Sequence, residues 1–366
     1  MLLVLVMAAA LWGIGAAMGT PRRLRWGMIA GLWAAVTLAH LVLPEGHPFR
    51  LATGESAALW LMTGGAVVLV LVYRAGLGRL RARAGMREAE AAQAVENNAP
   101  KPLFTQGELD RYARHIVLRE LGGPGQKALK QARVLVIGAG GLGSPALLYL
   151  AAAGVGTIGV IDDDDVDNSN LQRQVIHRDA DIGLPKVQSA MQAMQAQNPN
   201  VTVHPYQRRL TQEIAEALFA EYELILDGTD NFDTRYVANA AAALHGKPLI
   251  SGALSQWEGQ ISVFDPAHGT PCYECVFPEA PAPGLAPSCA EAGVLGPLPG
   301  VVGAMMAAEA IKVITGAGTP LRGEMLIYDA LYGESRKIAL SRRAGCPVCG
   351  EICGEKGDRD DQSAAG

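Results

Sequence analysis

Apolar positions follow two different patterns along this chain. Over the first 75 residues they run unbroken: Met1–Gly19, Gly27–Leu43 and Ala57–Tyr73 contain no charged side chain. Runs of about 17–20 apolar residues match the hydrocarbon thickness of a bilayer, so residues 1–75 are expected to form three transmembrane helices. The alternatives are two spans or a buried helical hairpin. A signal peptide fits poorly, because the first run lacks a basic leading segment and a second run follows within a few residues. Beyond residue 103 the apolar runs become short: "VLVIG" from Val134, "TIGVID" from Thr157, "VTVHPY" from Val201, "LILDG" from Leu224, "PLISG" from Pro248, "QISVFD" from Gln260 and "MLIYDA" from Met325. Ala-rich helical stretches separate the early ones. Alternating strands and helices predict an α/β fold with a mostly parallel, mixed sheet.

Composition sharpens the first pattern. Hydrophobic content of 49% and a mean hydropathy of +0.16 reflect the leading segment. Arg22, Arg23 and Arg25 separate the first two runs, and Arg74, Arg79, Arg81 and Arg83 follow the third, whereas the remaining loop has Arg50 alone. Basic loops stay in the cytoplasm, which predicts a multi-pass inner-membrane protein with everything after Tyr73 on the cytoplasmic side. A net charge of −5 gives no sign of nucleic-acid binding. Residues 76–102 read as a helical linker broken at "NNAPKP", residues 103–354 as a compact domain, and residues 355–366 as a disordered tail.

The stretch "VLVIGAGGLGS" reads as strand, then Gly138-x-Gly140-x-x-Gly143, then helix. Such glycines permit a tight turn and close approach to phosphate, which the helix N-terminus also attracts. Asp162 stands 19 residues past Gly143 at the end of the next strand, where a carboxylate can hold a ribose. No P-loop motif is present. Asn170, Arg173 and Lys186 follow soon after, more positive charge than a single pyrophosphate needs; the same cations around a reacting triphosphate are readily explained. Each taken alone could be a surface ion pair, and Asp163, Asp164 and Asp165 read as a solvated turn. In "DGTDN", Asp230 can hold Mg2+ against phosphate oxygens, or Asn231 and Asp233 can simply cap a helix.

Two C-x-x-C pairs, Cys272/Cys275 and Cys346/Cys349, supply four thiolates suited to tetrahedral structural zinc. Disulfides are the alternative, disfavoured in a cytoplasmic domain. Cys353 reads as spare. Cys289, alone in "PSCAEAGV", is either a small buried residue or a reactive thiol.

Together "RYARHIVLRELGGPGQKAL", "GAGGLGS", "VIDDDDVDNSNLQRQVIH", "GLPKV", "LDGTDN", "SGALSQWEGQISVF", "PCYECVF", "CAEAGVLGPLPGVVG" and "GCPVCG" resemble the MoeB/ThiF/HesA family, bacterial relatives of ubiquitin-activating enzymes. The likeness covers about Glu108 to Gly350 and is closest in wording to MoeB; the leading hundred residues lie outside it. It implies a Rossmann-like nucleotide-binding fold and ATP-dependent adenylation of the C-terminal glycine of a ubiquitin-like sulfur carrier. Gly141 and its loop would approach the phosphates and Asp162 the ribose. Ser169, Asn170, Leu171, Gln172 and Arg173 would line the nucleotide with Lys186, and Asp230 and Asn231 would lie near Mg2+. Arg114 matches an arginine that reaches a neighbouring subunit's site, implying a homodimer. Cys289 matches a position used in some members for covalent chemistry with the carrier. His115 and His177 are expected to be structural. No rhodanese-like domain follows the cysteine pairs, so a separate sulfur donor is expected. The molybdopterin synthase small subunit is favoured as carrier over the thiamine-pathway carrier. An NAD-dependent oxidoreductase has no use for Arg173, Lys186, Asp230 and the cysteine pairs together, and a non-catalytic membrane scaffold has no use for the first three.

Overall fold

The computed structural model describes residues 1–54, 56–98, 103–281 and 292–350, and the chain divides into two units, Met1–Lys101 and Pro102–Gly366. The first unit is helical: α1 (Leu2–Ala17), α2 (Arg22–Val42), the short α3 (Pro48–Thr53) and α4 (Ala57–Asn98). Val4, Val36 and Trp60 are its buried apolar contacts. Gly64 lets α4 close on α2, since a Cβ there would lie 2.1 Å from the Trp33 ring. The apolar residues Leu69, Val70, Leu71 and Val72 are all exposed.

Two sequence expectations change here. The first apolar run forms a helix of only 16 residues. At 1.5 Å per residue that is about 24 Å, short of the roughly 30 Å hydrocarbon layer. By length and composition α2 and the Ala57–Arg87 part of α4 are long and apolar enough to cross a membrane. The second change concerns the boundary at residue 75. No break separates the third run from the linker; α4 continues for 42 residues. The reason is local, because after Tyr73 the chain is rich in Ala, Arg, Leu and Glu and contains no proline until Pro100. Arg74, Arg79, Arg81 and Arg83 are therefore helical, as are Arg22, Arg23 and Arg25 at the start of α2.

The second unit opens with α5 (Gln106–Ile116), started by a capping box between Thr105 and Glu108, and α6 (Gly122–Gln131). An eight-stranded sheet follows in the order β3-β2-β1-β4-β5-β6-β7-β8. Its strands are β1 (Arg133–Ile137), β2 (Thr157–Asp162), β3 (Thr202–Gln207), β4 (Leu224–Asp227), β5 (Leu249–Leu254), β6 (Glu258–Phe264), β7 (Glu324–Asp329) and β8 (Glu334–Ala339). From β3 to β5 neighbouring strands are parallel; from β5 to β8 they are antiparallel. Parallel neighbours need crossovers, supplied by α7 (Gly143–Ala153), α8 (Lys186–Gln197), α9 (Gln212–Phe219) and α10 (Phe232–Leu244). One face of the sheet packs its buried core with α7, α8 and α12 (Pro297–Thr315), the other with α9 and α10. α12 has the length and hydropathy of a membrane span, yet Leu298, Val302, Met306 and Ala310 are buried against the sheet. The mixed α/β fold is the expected one. β8 is not: its side chains are all exposed, and pairing with β7 is what makes it a strand.

The chain leaves β1 toward β2 on one side, and the next neighbour on the other side is β4. This reversal of strand order opens a crevice beyond the carboxyl ends of β1 and β4, the usual ligand position in such sheets.

Candidate nucleotide site and cysteine centre

Both loops at that crevice are glycine-dependent. Gly138 ends β1 with φ +91°, and a Cβ there would lie 3.3 Å from the Gly228 carbonyl of the loop after β4. A Cβ on Gly143 would sit 1.9 Å from the Gly138 carbonyl oxygen, so no side chain fits where the loop turns into α7. The Gly228 N–H donates to Ile137 O at 3.0 Å, joining the two loops. Gly140 and Gly141 occupy the turn between, and a Cβ on Gly141 would fall 3.1 Å from Pro299 of α12 and 3.9 Å from Arg173 Cδ.

Asp162 closes the loop from the side. Its Oδ2 accepts from the Ala139 N–H at 2.7 Å and its Oδ1 from the Asp164 N–H at 2.9 Å. Burial raises its carboxyl above the ordinary aspartate value, with Lys186 and these N–H groups opposing. The segment Asn168–Asn170 is a short 3-10 turn, capped by Asp167, whose carboxylate accepts from Ser169. Arg173 folds back over it, donating to Asn170 Oδ1 at 3.0 Å and Ser169 O at 3.2 Å. Leu171 is half-buried and Gln172 exposed; a Cβ on Gly296, just before α12, would meet Gln172 O at 2.8 Å. Lys186 begins α8, buried, with its ammonium 2.6 Å from Asp164 Oδ2. The aspartate turn is therefore more than solvated surface: Asp164 partners the lysine.

At the end of β4, Asp230 is exposed and makes no hydrogen bond or ion pair among the described residues. Asn231 is the N-cap of α10, its side-chain oxygen accepting from the Thr234 N–H at 3.0 Å; capping, the alternative reading, is what its geometry provides. Beneath them lies a cluster that sequence reasoning missed. Asp227 is fully buried and accepts from Arg235 Nη1 at 3.1 Å, Ser251 Oγ at 2.9 Å and Thr229 Oγ1 at 2.7 Å. Arg235 also donates to Gly252 O at 2.8 Å and to the Thr229 carbonyl. A buried guanidinium with both terminal nitrogens bonded thus fixes the turn that presents Asp230. The available signal was Arg235 standing eight residues after a strand-ending aspartate, in the first turn of α10.

One of the expected site residues, Arg114, is not brought to the crevice. Arg114 is exposed on α5 and has no hydrogen bond or ion pair among the described residues. Its helix docks at the far end of α7, where Tyr112 covers Gly154 and accepts from Asn198 Nδ2 at 2.7 Å. Cys289 lies outside the described residues, as do Cys353 and the tail from 355.

The four paired cysteines converge. Cys272–Cys275, Cys272–Cys346 and Cys275–Cys349 sulfurs are 3.8, 3.6 and 3.4 Å apart, and all four are buried. Disulfide sulfurs would be about 2.05 Å apart. Tetrahedral thiolates around a divalent ion at about 2.3 Å would be roughly 3.8 Å apart, which this cluster fits. Burial pushes the Cys349 thiol up to about 11, aided by Cys275, and drives Cys272 higher still. For Cys346, burial is outweighed by the Cys349 and Val348 N–H groups, which bring it down to about 7.

A glycine loop at a strand-order reversal, a carboxylate closing it, and an arginine and a lysine at its rim define a nucleotide-binding protein equipped for phosphate chemistry. Residues 112–348 match the ThiF family. A sulfur carrier protein adenylyltransferase of Thermus thermophilus is 52% identical over 252 residues, covering 68% of this chain and 93% of its own length. The probable adenylyltransferase/sulfurtransferase MoeZ of Mycobacterium tuberculosis is 50% identical over 276 residues, covering 73% of this chain and 70% of its own. The SAMP-activating enzyme E1 of Haloferax volcanii is 47% identical over 244 residues, covering 67% of this chain and 90% of its own. Crystal structures of PaaA (TM-score 0.58, 24% identity, 70% of this chain and 82% of that one) and of Escherichia coli MccB with ATP (TM-score 0.57, 21% identity, 72% and 81%) share the fold. The chain therefore belongs to the ThiF family, as an adenylyltransferase.

Proposed function

We propose that the chain uses ATP to adenylate the C-terminal glycine of a small ubiquitin-like sulfur-carrier protein, releasing pyrophosphate. The observation that carries this reading is the placement of Arg173 over Gly141 and of buried Lys186 beside Asp162, at the crevice between β1 and β4. A carboxylate is ionised at pH 7 and needs no general base to attack an α-phosphate. Rate then comes from holding the reactants and stabilising the departing charge. In that arrangement Asp162 takes the ribose, the Gly140–Gly141 turn faces the phosphates, and Arg173 and Lys186 neutralise the leaving pyrophosphate. Asp230, exposed at the rim, is the residue that would hold Mg2+ against phosphate oxygens. The names of the relatives from Thermus and Mycobacterium support the reaction class. The wording of the motifs favours the molybdopterin synthase small subunit as carrier, with the thiamine-pathway carrier as the alternative.

The rest of the assembly is read the same way. Zinc on Cys272, Cys275, Cys346 and Cys349 would tie the C-terminal segment to α11 (Tyr273–Val276). Arg114, exposed and away from its own crevice, suits a homodimer in which it serves the partner. Exposed apolar faces on α2 and α4 suit a bilayer, with the catalytic unit in the cytoplasm. The test is exchange of labelled pyrophosphate into ATP. Purified full-length protein should catalyse it only with a carrier ending in Gly-Gly, and running molybdopterin and thiamine carriers side by side identifies the partner. Absence of exchange with every such carrier of the same cell would sink the reading.

A further inference from the structure

His177 is 93% buried between the glycine loop and α8, and both ring nitrogens are engaged. Nε2 lies 2.9 Å from the Ala139 carbonyl oxygen, and Nδ1 lies 2.8 Å from Ser189 Oγ, itself 2.7 Å from Asp181 Oδ2. On the other side of the same loop, the Ala139 N–H donates to Asp162. The loop is thus gripped twice at one residue, through its amide by a carboxylate and through its carbonyl by an imidazole. A carbonyl can only accept, so the Nε2 of His177 must carry the proton. Ser144 Oγ is 3.5 Å from that carbonyl, too long to replace the imidazole.

Placement along the chain gives this contact its reach. His177 stands four residues after Arg173 on the same segment, and Ser189 stands three residues after Lys186 on the same helix. One ring therefore joins the loop that faces the phosphates, the segment that carries the arginine and the helix that carries the lysine. We infer that His177 is a positioning residue for the nucleotide: the proton it donates to Ala139 sets the glycine loop in register with Arg173 and Lys186. Without that donor the loop carbonyl has no partner of comparable quality, and the two cations lose their common reference. His177 touches the loop carbonyl and Ser189 of α8, so its effect falls on the nucleotide rather than on recognition of the carrier. This role rests on the nucleotide-site reading above.

The test is calorimetric binding of a non-hydrolysable ATP analogue to the full-length protein in detergent, with no carrier added. In His177→Gln the side-chain amide reaches the position of the Nε2–H; in His177→Asn the same amide falls one bond short. His177→Asn should weaken binding about tenfold, the scale of a buried carbonyl left unpaired, while His177→Gln stays within about threefold of the parent. Ser189→Ala, which frees the far side of the ring, should weaken binding by about threefold. The KM for carrier in pyrophosphate exchange should stay unchanged in all three. Parent-like binding by His177→Asn, or equal losses in the Asn and Gln variants, would overturn the inference. Should His177→Asn fail to fold, Ser189→Ala decides: parent-like binding overturns the role and weakened binding upholds it. A parent chain that binds no analogue defeats the adenylation reading itself, and the inference with it.

Discussion

Arg173 brings its Cδ against the glycine loop, while its guanidinium bonds, among the described residues, only to Ser169 and Asn170 of its own segment. That leaves donors for a phosphate chain, and in the proposed reaction its charge would matter most as pyrophosphate departs. Arg173→Ala is expected to lower exchange by at least about a hundredfold, with zinc content and melting temperature unchanged. Exchange that survives would mean that another group bears the leaving charge. His177 yields a prediction about acid. Burial holds it below its ordinary 6.5, with Lys186 adding to the effect and Asp181 opposing. The unfolded chain takes up a proton at this residue near 6.5 and the folded chain only at lower pH. Over that interval the unfolded state binds more protons, so stability falls as pH drops. Melting curves from about pH 7.5 to about 5.5 should decline more steeply for the parent than for His177→Gln; parallel curves would show that another group titrates. At this scale the sequence was readable where spacing is local, as in the glycines and Asp162. It was not readable where burial assigns the role. Asp227, Arg235 and His177 are ordinary polar letters until the sheet covers them.

Elements were legible in proportion to how far their own residues determine them. Seven strands follow from short runs of branched apolar residues flanked by turns. β8, "ESRKIA", carries two basic residues and an acid on an exposed edge, and only its pairing with β7 makes it a strand. The continuity of α4 was hidden because a change of composition at Tyr73 looks like a boundary, although no residue there breaks a helix. The cysteine pairs were legible as a set of four thiols from their spacing, and the fold brings them within tetrahedral reach. Metal analysis should find one zinc per chain. Cys275→Ser, which removes one thiolate from a buried cluster, should abolish stoichiometric zinc and speed proteolysis within residues 341–350 several-fold. Full zinc occupancy in that variant would show that the four sulfurs are not the ligand set.

For the whole molecule, the family match begins at residue 112, so the helical first unit is an addition to the shared fold. Its exposed Leu69, Val70, Leu71 and Val72 would be costly in water and are at home in hydrocarbon. The full-length chain should sediment with membranes and resist an alkaline carbonate wash. A tag at its C-terminus should be protected from protease in intact spheroplasts. Release by carbonate would reduce the first unit to a peripheral hairpin.

The cysteine centre also changes the topology of the chain. Cys272 and Cys346 are 74 positions apart. With an ion on the four sulfurs, the polypeptide between them is no longer a line but a ring, containing α12, β7 and β8. A line cut once falls into two pieces; a ring cut once merely opens. A single nick inside this ring would leave both fragments fastened at the metal as well as through the β6–β7 pairing, and loss of the ion would leave only the non-covalent tie.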